Sequence, residues 1–96
     1  MAWVIVSFRS SETERIWHGR FSRILPHDIQ QTALRKLRML NNAKVLGDLA
    51  VPPNNRLEAL KGRRAGQHSI RINQQWRICF VWTQGGPDHV EIVDYH

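Results

Sequence analysis

Residues 67–96 read QHSIRINQQWRICFVWTQGGPDHVEIVDYH, and this stretch decides the fold. Three runs rich in β-branched and aromatic residues, His68–Ile72, Trp76–Trp82 and His89–Tyr95, predict three short strands. Asn73, Gln74 and Gln75 supply one turn, and Gln84, Gly85, Gly86, Pro87 and Asp88 supply the other. Short strands joined by tight turns pair as an antiparallel meander. Period-two alternation sets Ser69 and Arg71 opposite Ile70 and Ile72. In the next strand it separates Arg77, Cys79 and Val81 from Trp76, Ile78, Phe80 and Trp82. One face is therefore apolar and the other carries arginines.

Upstream, residues 26–41 show the helical period. Ile29, Ala33, Leu37 and Leu40 form a stripe that Leu34 and Met39 widen, with Pro26 and Asp28 suited to the first turn. Gln30, Gln31, Arg35, Lys36 and Arg38 fall on the remaining surface, most simply a solvated face. Residues 42–55 end in Val51-Pro52-Pro53-Asn54-Asn55, an extended or turning connection with one short helical turn around Val45–Leu49. Residues 56–66, RLEALKGRRAG, read as a basic loop. At the start, Trp3–Phe8 predicts a strand. Ser11 and Glu14 fit a capping box for a short helix from Glu12 to Trp17, which Gly19 ends. The order is strand, helix, helix, three strands, over one domain spanning residues 1–96. With both helices on one face the class is α+β, and the other face stays open to a ligand.

Charge narrows the partners. Fourteen Lys and Arg against eight Asp and Glu leave +6, and only Lys36, Lys44 and Lys61 are lysines. Arginine's planar fork matches phosphate and stacks on bases, where lysine acts as a point charge. A basic chain of this kind attracts polyanions. From Arg56 to Arg77 stand six cations, Arg56, Lys61, Arg63, Arg64, Arg71 and Arg77, against one acid, Glu58. Arginines on two paired strands beside a basic loop can form a phosphate-binding concavity, or can simply decorate the solvent side of the sheet.

The tail is the second unusual feature. Asp94, Tyr95 and His96 put three ionisable side chains on the last three residues. His96 suits proton transfer near neutrality, although a C-terminal histidine can equally be a bystander. Cleavage of RNA by its own 2′-OH needs a base, an acid for the leaving 5′-oxygen and cations beside the phosphorane, and no metal. The basic segment and the tail contain those groups.

Other chemistries are disfavoured. The single Cys79 lies in an apolar run, as a core thiol would, and excludes an internal disulfide. His18, His27, His68 and His89 lack HExxH or close paired spacing, so neither a metal nor a cofactor is expected. There is no Walker loop, GxGxxG or GxSxG, and Ser69 lacks a nucleophile-elbow context. No apolar run approaches the roughly 18 residues of a membrane span. Arg9 and the polar run to Arg15 follow a very short apolar segment, unlike a signal peptide, so a cytoplasmic place is expected.

RLEALKG, GQHSIRINQQWRICF and the closing VEIVDYH, with VIVSF and RKLRML upstream, resemble the HigB branch of the RelE/ParE toxin superfamily across essentially the whole chain. The resemblance implies a compact microbial RNase-like fold and a metal-independent messenger-RNA endoribonuclease that acts in the ribosomal A site. It implies that Lys61 and Arg77 contact the scissile phosphate, with His96 as acid, Asp94 as base or orienter and Tyr95 as a positioning group. Some relatives carry a His where this chain has Glu58, which can serve as base or as ion-pair partner of Lys61. Arg56, Arg63, Arg64 and Gln75, with Arg71 from strand alternation, complete the candidate RNA-binding set. The implied partners are the ribosome with its message and a helix-turn-helix, HigA-like antitoxin. The two would form a heterotetramer that meets operator DNA through the antitoxin alone, and no membrane partner is expected. The rival on the same fold is a ParE-like, non-catalytic toxin that poisons DNA gyrase.

Overall fold

The computed structural model describes residues 4–95. Four strands, β1 (Glu58–Ala59), β2 (His68–Arg71), β3 (Trp76–Thr83) and β4 (Gly86–Asp94), form one antiparallel sheet in sequence order. Helices α1 (Ser11–Trp17) and α2 (Gln30–Asn42) pack on one face of it. The α+β expectation holds. The core is the predicted stripe of α2, Ala33, Leu37 and Leu40 with the preceding Ile29, set against Ile70, Ile78, Phe80, Val90 and Ile92. The hydroxyl of the fully buried Thr13 accepts the β4 backbone N–H of Ile92 at 2.9 Å, tying α1 to the sheet.

Several elements differ from expectation, each for a local reason. The cap of α1 is Ser10, whose hydroxyl accepts the N–H of Thr13 at 3.3 Å, so Ser11 lies inside the helix. Residues 27–29 form a 3₁₀ turn, and the α-helix begins only at Gln30. Gln30 is buried because its amide closes the loop before it: Oε1 accepts from Ser22 N at 3.0 Å, and Nε2 donates to the Ser22 and Leu25 carbonyls. Lys36 is also buried, 5% exposed, with Nζ donating to Asn55 Oδ1. These two residues leave the solvated face expected for them. The fully buried Asn55 in turn donates to the Leu49 carbonyl at 3.1 Å and the Val51 carbonyl at 3.3 Å. One side-chain amide thus organises the connection between helix and sheet, which winds through 3₁₀ turns at Leu46–Ala50 and Pro53–Asn55.

The expected strand at residues 3–8 forms only in part, and Trp3 lies outside the described residues. Ile5 N donates to the Asn41 side chain at 2.9 Å, toward the end of α2. Val6 N then reaches the Pro87 carbonyl at 2.7 Å, and Phe8 makes an isolated parallel bridge to Val90. The β3–β4 register shifts between Cys79 and Val81, and His89 adopts a left-handed conformation at φ 53°, so β4 offers no regular edge there. The second hairpin turn is also tighter than read. Thr83 pairs with Gly86, leaving only Gln84 and Gly85 in the loop. Gly86 sits at φ +122°, and a Cβ on it would lie 2.3 Å from the Val4 carbonyl oxygen.

The second sheet face is not open at its centre. Ser69 and Cys79 are fully buried and Arg77 is 9% exposed, because the segment read as a free loop folds over them. It first pairs as β1, Glu58 with Ser69 and Ala59 with His68. After Lys61, Gly62 at φ +64° opens a 3₁₀ turn over Gly62–Arg64 that lays Arg64 against β4.

Candidate functional site

The centre of the site is Arg77 on β3. Its Nε donates to Ser69 Oγ on β2 at 2.7 Å, and its Nη2 donates to the Arg56 carbonyl at 2.6 Å. The Tyr95 ring lies against the guanidinium, 5.5 Å from ring centroid to Cζ, a cation–π distance. Two of arginine's five N–H donors are thereby committed to fixing its plane. No ion pair to Arg77 exists among the described residues. Its two bonded partners are neutral oxygens, and no described carboxylate pairs with it.

The Arg56 carbonyl that receives Arg77 comes from an unusual backbone. Arg56 ends the Pro53–Asn55 turn at φ 47°, ψ 55°, in the left-handed region that a non-glycine residue enters at a cost. Strain at a residue that orients the central cation is the pattern expected of a working site.

Beside Arg77 lies a neutralised pair. Arg64 Nη1 donates to Glu91 Oε1 and to Gln67 Oε1, at 3.0 and 3.1 Å. The Glu91 hydrogen bond raises the Arg64 pKa still further above its ordinary value. The paired residues Glu58–Ser69, Ser69–Cys79 and Cys79–Glu91 form one row across the sheet. In the middle of that row burial pushes the Cys79 thiol up, so it stays protonated and unreactive.

The remaining candidates separate into groups. Glu58 is exposed at one end of the row, on the sheet face that carries Ser69 and Arg77. Lys61 and Arg63 are exposed on the segment over that face, and no Glu58–Lys61 ion pair forms. Arg71 is the register partner of Arg77, but its Nε donates to the Asn73 carbonyl at 3.0 Å, at the end of the sheet. Asp94 pairs with Trp76 in register, one residue out of phase with Arg77 and Val93, so it belongs to the opposite face from Tyr95. Gln75 holds the tail from the neighbouring turn: its carbonyl accepts Tyr95 N at 2.7 Å, and its Nε2 donates to Asp94 Oδ2 at 3.1 Å. His96 lies outside the described residues.

Three contacts escaped the sequence reading. Ser69 was legible as a neighbour on the arginine face, but its bond to Arg77 required the strand register. Glu91 carried no local signal, since its partner Arg64 is 27 residues away. Asn73 Oδ1 accepts the N–H groups of Gln75 and Trp76, at 2.8 and 2.7 Å, and so sets the turn that anchors the tail.

The profile described as "RelE-like toxin of type II toxin-antitoxin system HigB" matches residues 6–96. The chain belongs to the HigB-like toxin family. Toxin HigB-1 of Vibrio cholerae is 43% identical over 63 residues, 66% of this chain and 66% of that toxin. An uncharacterized protein of Haemophilus influenzae is 34% identical over 76 residues, 78% of this chain and 75% of its own length. As a HigB-like toxin of type II, the chain has an antitoxin as its counterpart. Among the described residues no helix is long and apolar enough to cross a membrane, and no group of three His, Cys, Asp or Glu is placed to hold a metal.

Proposed function

We propose that this HigB-like chain is a ribosome-dependent endoribonuclease that cuts messenger RNA in the ribosomal A site. The observation that carries the reading is Arg77, fixed by Ser69 and the Arg56 carbonyl and lacking a carboxylate partner among the described residues. A preoriented guanidinium stabilises charge that grows as a phosphodiester becomes a phosphorane.

In the proposed reaction the 2′-oxygen attacks the adjacent phosphorus while a base takes its proton. The P–O5′ bond then breaks and an acid protonates the leaving oxygen, giving a cyclic phosphate and a 5′-hydroxyl. Arg77 and Lys61 stabilise the phosphorane. Glu58 is the favoured base, because it shares the sheet face of Arg77 whereas Asp94 is out of phase and held by Gln75. Tyr95 packs on Arg77 and positions the substrate, Asp94 orients the tail, and His96 is the acid. Arg56 and Arg63 supply diffuse attraction for RNA. The proposed counterpart is a helix-turn-helix antitoxin in a heterotetramer, and the proposed place of action is the cytoplasm.

The test adds purified protein to a reconstituted translation system with a labelled message and maps the cut ends. Cuts confined to ribosome-occupied A-site codons support the proposal. Intact message together with trapped gyrase–DNA complexes would overturn it.

A further inference from the structure

A second concentration of positive charge lies at the end of the sheet, toward α2. Between α2 and the β2–β3 turn runs a groove of about 330 Å³, lined by Thr32, Arg35, Lys36, Asn54, Arg71, Ile72 and Asn73. Its lining contains three cations and three neutral polar side chains, and no acid. Among the described residues none of the three cations forms an ion pair. Lys36 is the notable member. It is 5% exposed, and among the described residues the one oxygen it engages belongs to the neutral amide of Asn55. An ammonium has three donors, so two remain for another acceptor.

Burial, and then the neighbouring Arg35 charge, lower the Lys36 pKa, which is the signature of a cation lacking its counter-charge. Asn55 alone explains a loop pin. It does not explain why Arg35 and Arg71 line the same groove as a buried lysine, where the Arg35 charge opposes the ammonium. An oxyanion in the groove would reverse that balance.

We propose that this groove is a phosphate-binding subsite, distinct from the Arg77 site, that takes a backbone phosphodiester of an RNA strand. Two residues connect groove and site. Arg71 is the register partner of Arg77, and Asn73 caps the turn that carries Gln75. A strand lying over Arg77 can therefore continue across the end of the sheet into the groove. The identity of the polyanion as RNA rests on the proposed function, but binding is read without cleavage, so the two claims fail separately.

The experiment titrates the full-length protein with inorganic phosphate and, separately, with a short single-stranded oligonucleotide whose 2′-OH groups are blocked, following backbone amides by NMR. Both ligands should shift the amides of Thr32, Arg35, Asn54 and Asn73. Arg35→Gln should weaken oligonucleotide binding about tenfold, and lower the slope of log K against log salt by about 0.7. Asn54→Asp, which introduces a carboxylate without touching the buried lysine, should abolish the groove shifts while the protein remains folded. Unchanged affinity in both variants, or shifts confined to the Arg63–Arg64 turn, would overturn the subsite. Phosphate binding that responds to Arg35→Gln while oligonucleotide binding does not would overturn RNA as its occupant.

Discussion

The Ser69 hydroxyl on β2 accepts the Nε–H of Arg77 on β3 at 2.7 Å, and both side chains are buried on the face of the sheet opposite the helices. A guanidinium held from one edge cannot rotate without breaking that bond. Replacing Ser69 with Ala should leave a buried donor unpaired, at about 1–3 kcal/mol of stability. It should also cut the message-cleavage rate by more than the fold loses, because the Arg77 plane is released. Urea denaturation beside single-turnover cleavage separates the two effects. Ser69→Thr, which keeps the hydroxyl, should restore most of the cleavage rate, and a rate in Ser69→Ala equal to the wild type would mean that Arg77 needs no positioning.

The N-terminal segment depends on Gly86 in the same mechanical way. A methyl group there meets the Val4 carbonyl oxygen at 2.3 Å, with the backbone already at φ +122°. Gly86→Ala should therefore lift residues 4–8 from β4 and cost about 1–3 kcal/mol. Hydrogen exchange is the direct reading: the amides of Val6 and Arg9, bonded to Pro87 and Val90, should exchange much faster while Ile78 stays protected. Uniform protection would show that the contact is relieved without detachment.

A third prediction concerns acid stability. The Asp88 carboxyl is held below its ordinary range, first by the Ser7 hydroxyl and further by the backbone N–H of His89. Its depressed value in the folded state means that the unfolded chain binds more protons in acid. The stability it contributes is full above the unfolded-state value and is lost as pH falls through the folded-state one. Asp88→Asn should lower the melting temperature at neutral pH and flatten its acid limb. Parallel acid limbs in variant and wild type would contradict this role.

What could be read without coordinates was what repeats along the chain. The period of Ile29, Ala33, Leu37 and Leu40 marked α2, and the alternation through Ile70, Ile78 and Phe80 marked the apolar sheet face, because each depends on neighbours a turn or two away. Arg77 was legible too, as an arginine on the face opposite that core. What could not be read were encounters across long separations. Lys36 reads as a surface residue in the helical period, whereas Asn55, 19 residues on, meets it in the interior. Arg64 looked free to bind phosphate until it met Glu91. The two-residue strand β1 has no periodicity to detect, yet it brings the basic segment over Ser69 and closes the face expected to be open. The helix cap was read one residue late, at Ser11, because the adjacent Ser10 carries the same kind of capping hydroxyl.

The account turns on Arg77 as the cation beside the scissile phosphate. The measurement that tests it most directly is single-turnover cleavage of a defined message on programmed ribosomes by Arg77→Ala, Arg77→Lys and, as a surface control, Arg38→Ala on the exposed side of α2. Loss of one preorganised donor to a developing oxyanion costs about 100-fold or more, and Arg77→Ala should fall by at least that. Arg77→Lys should recover little, because an ammonium cannot reproduce the fork held by Ser69 and Arg56. Arg38→Ala should stay close to wild type. A folded Arg77→Ala protein that cuts at the wild-type rate would contradict the account.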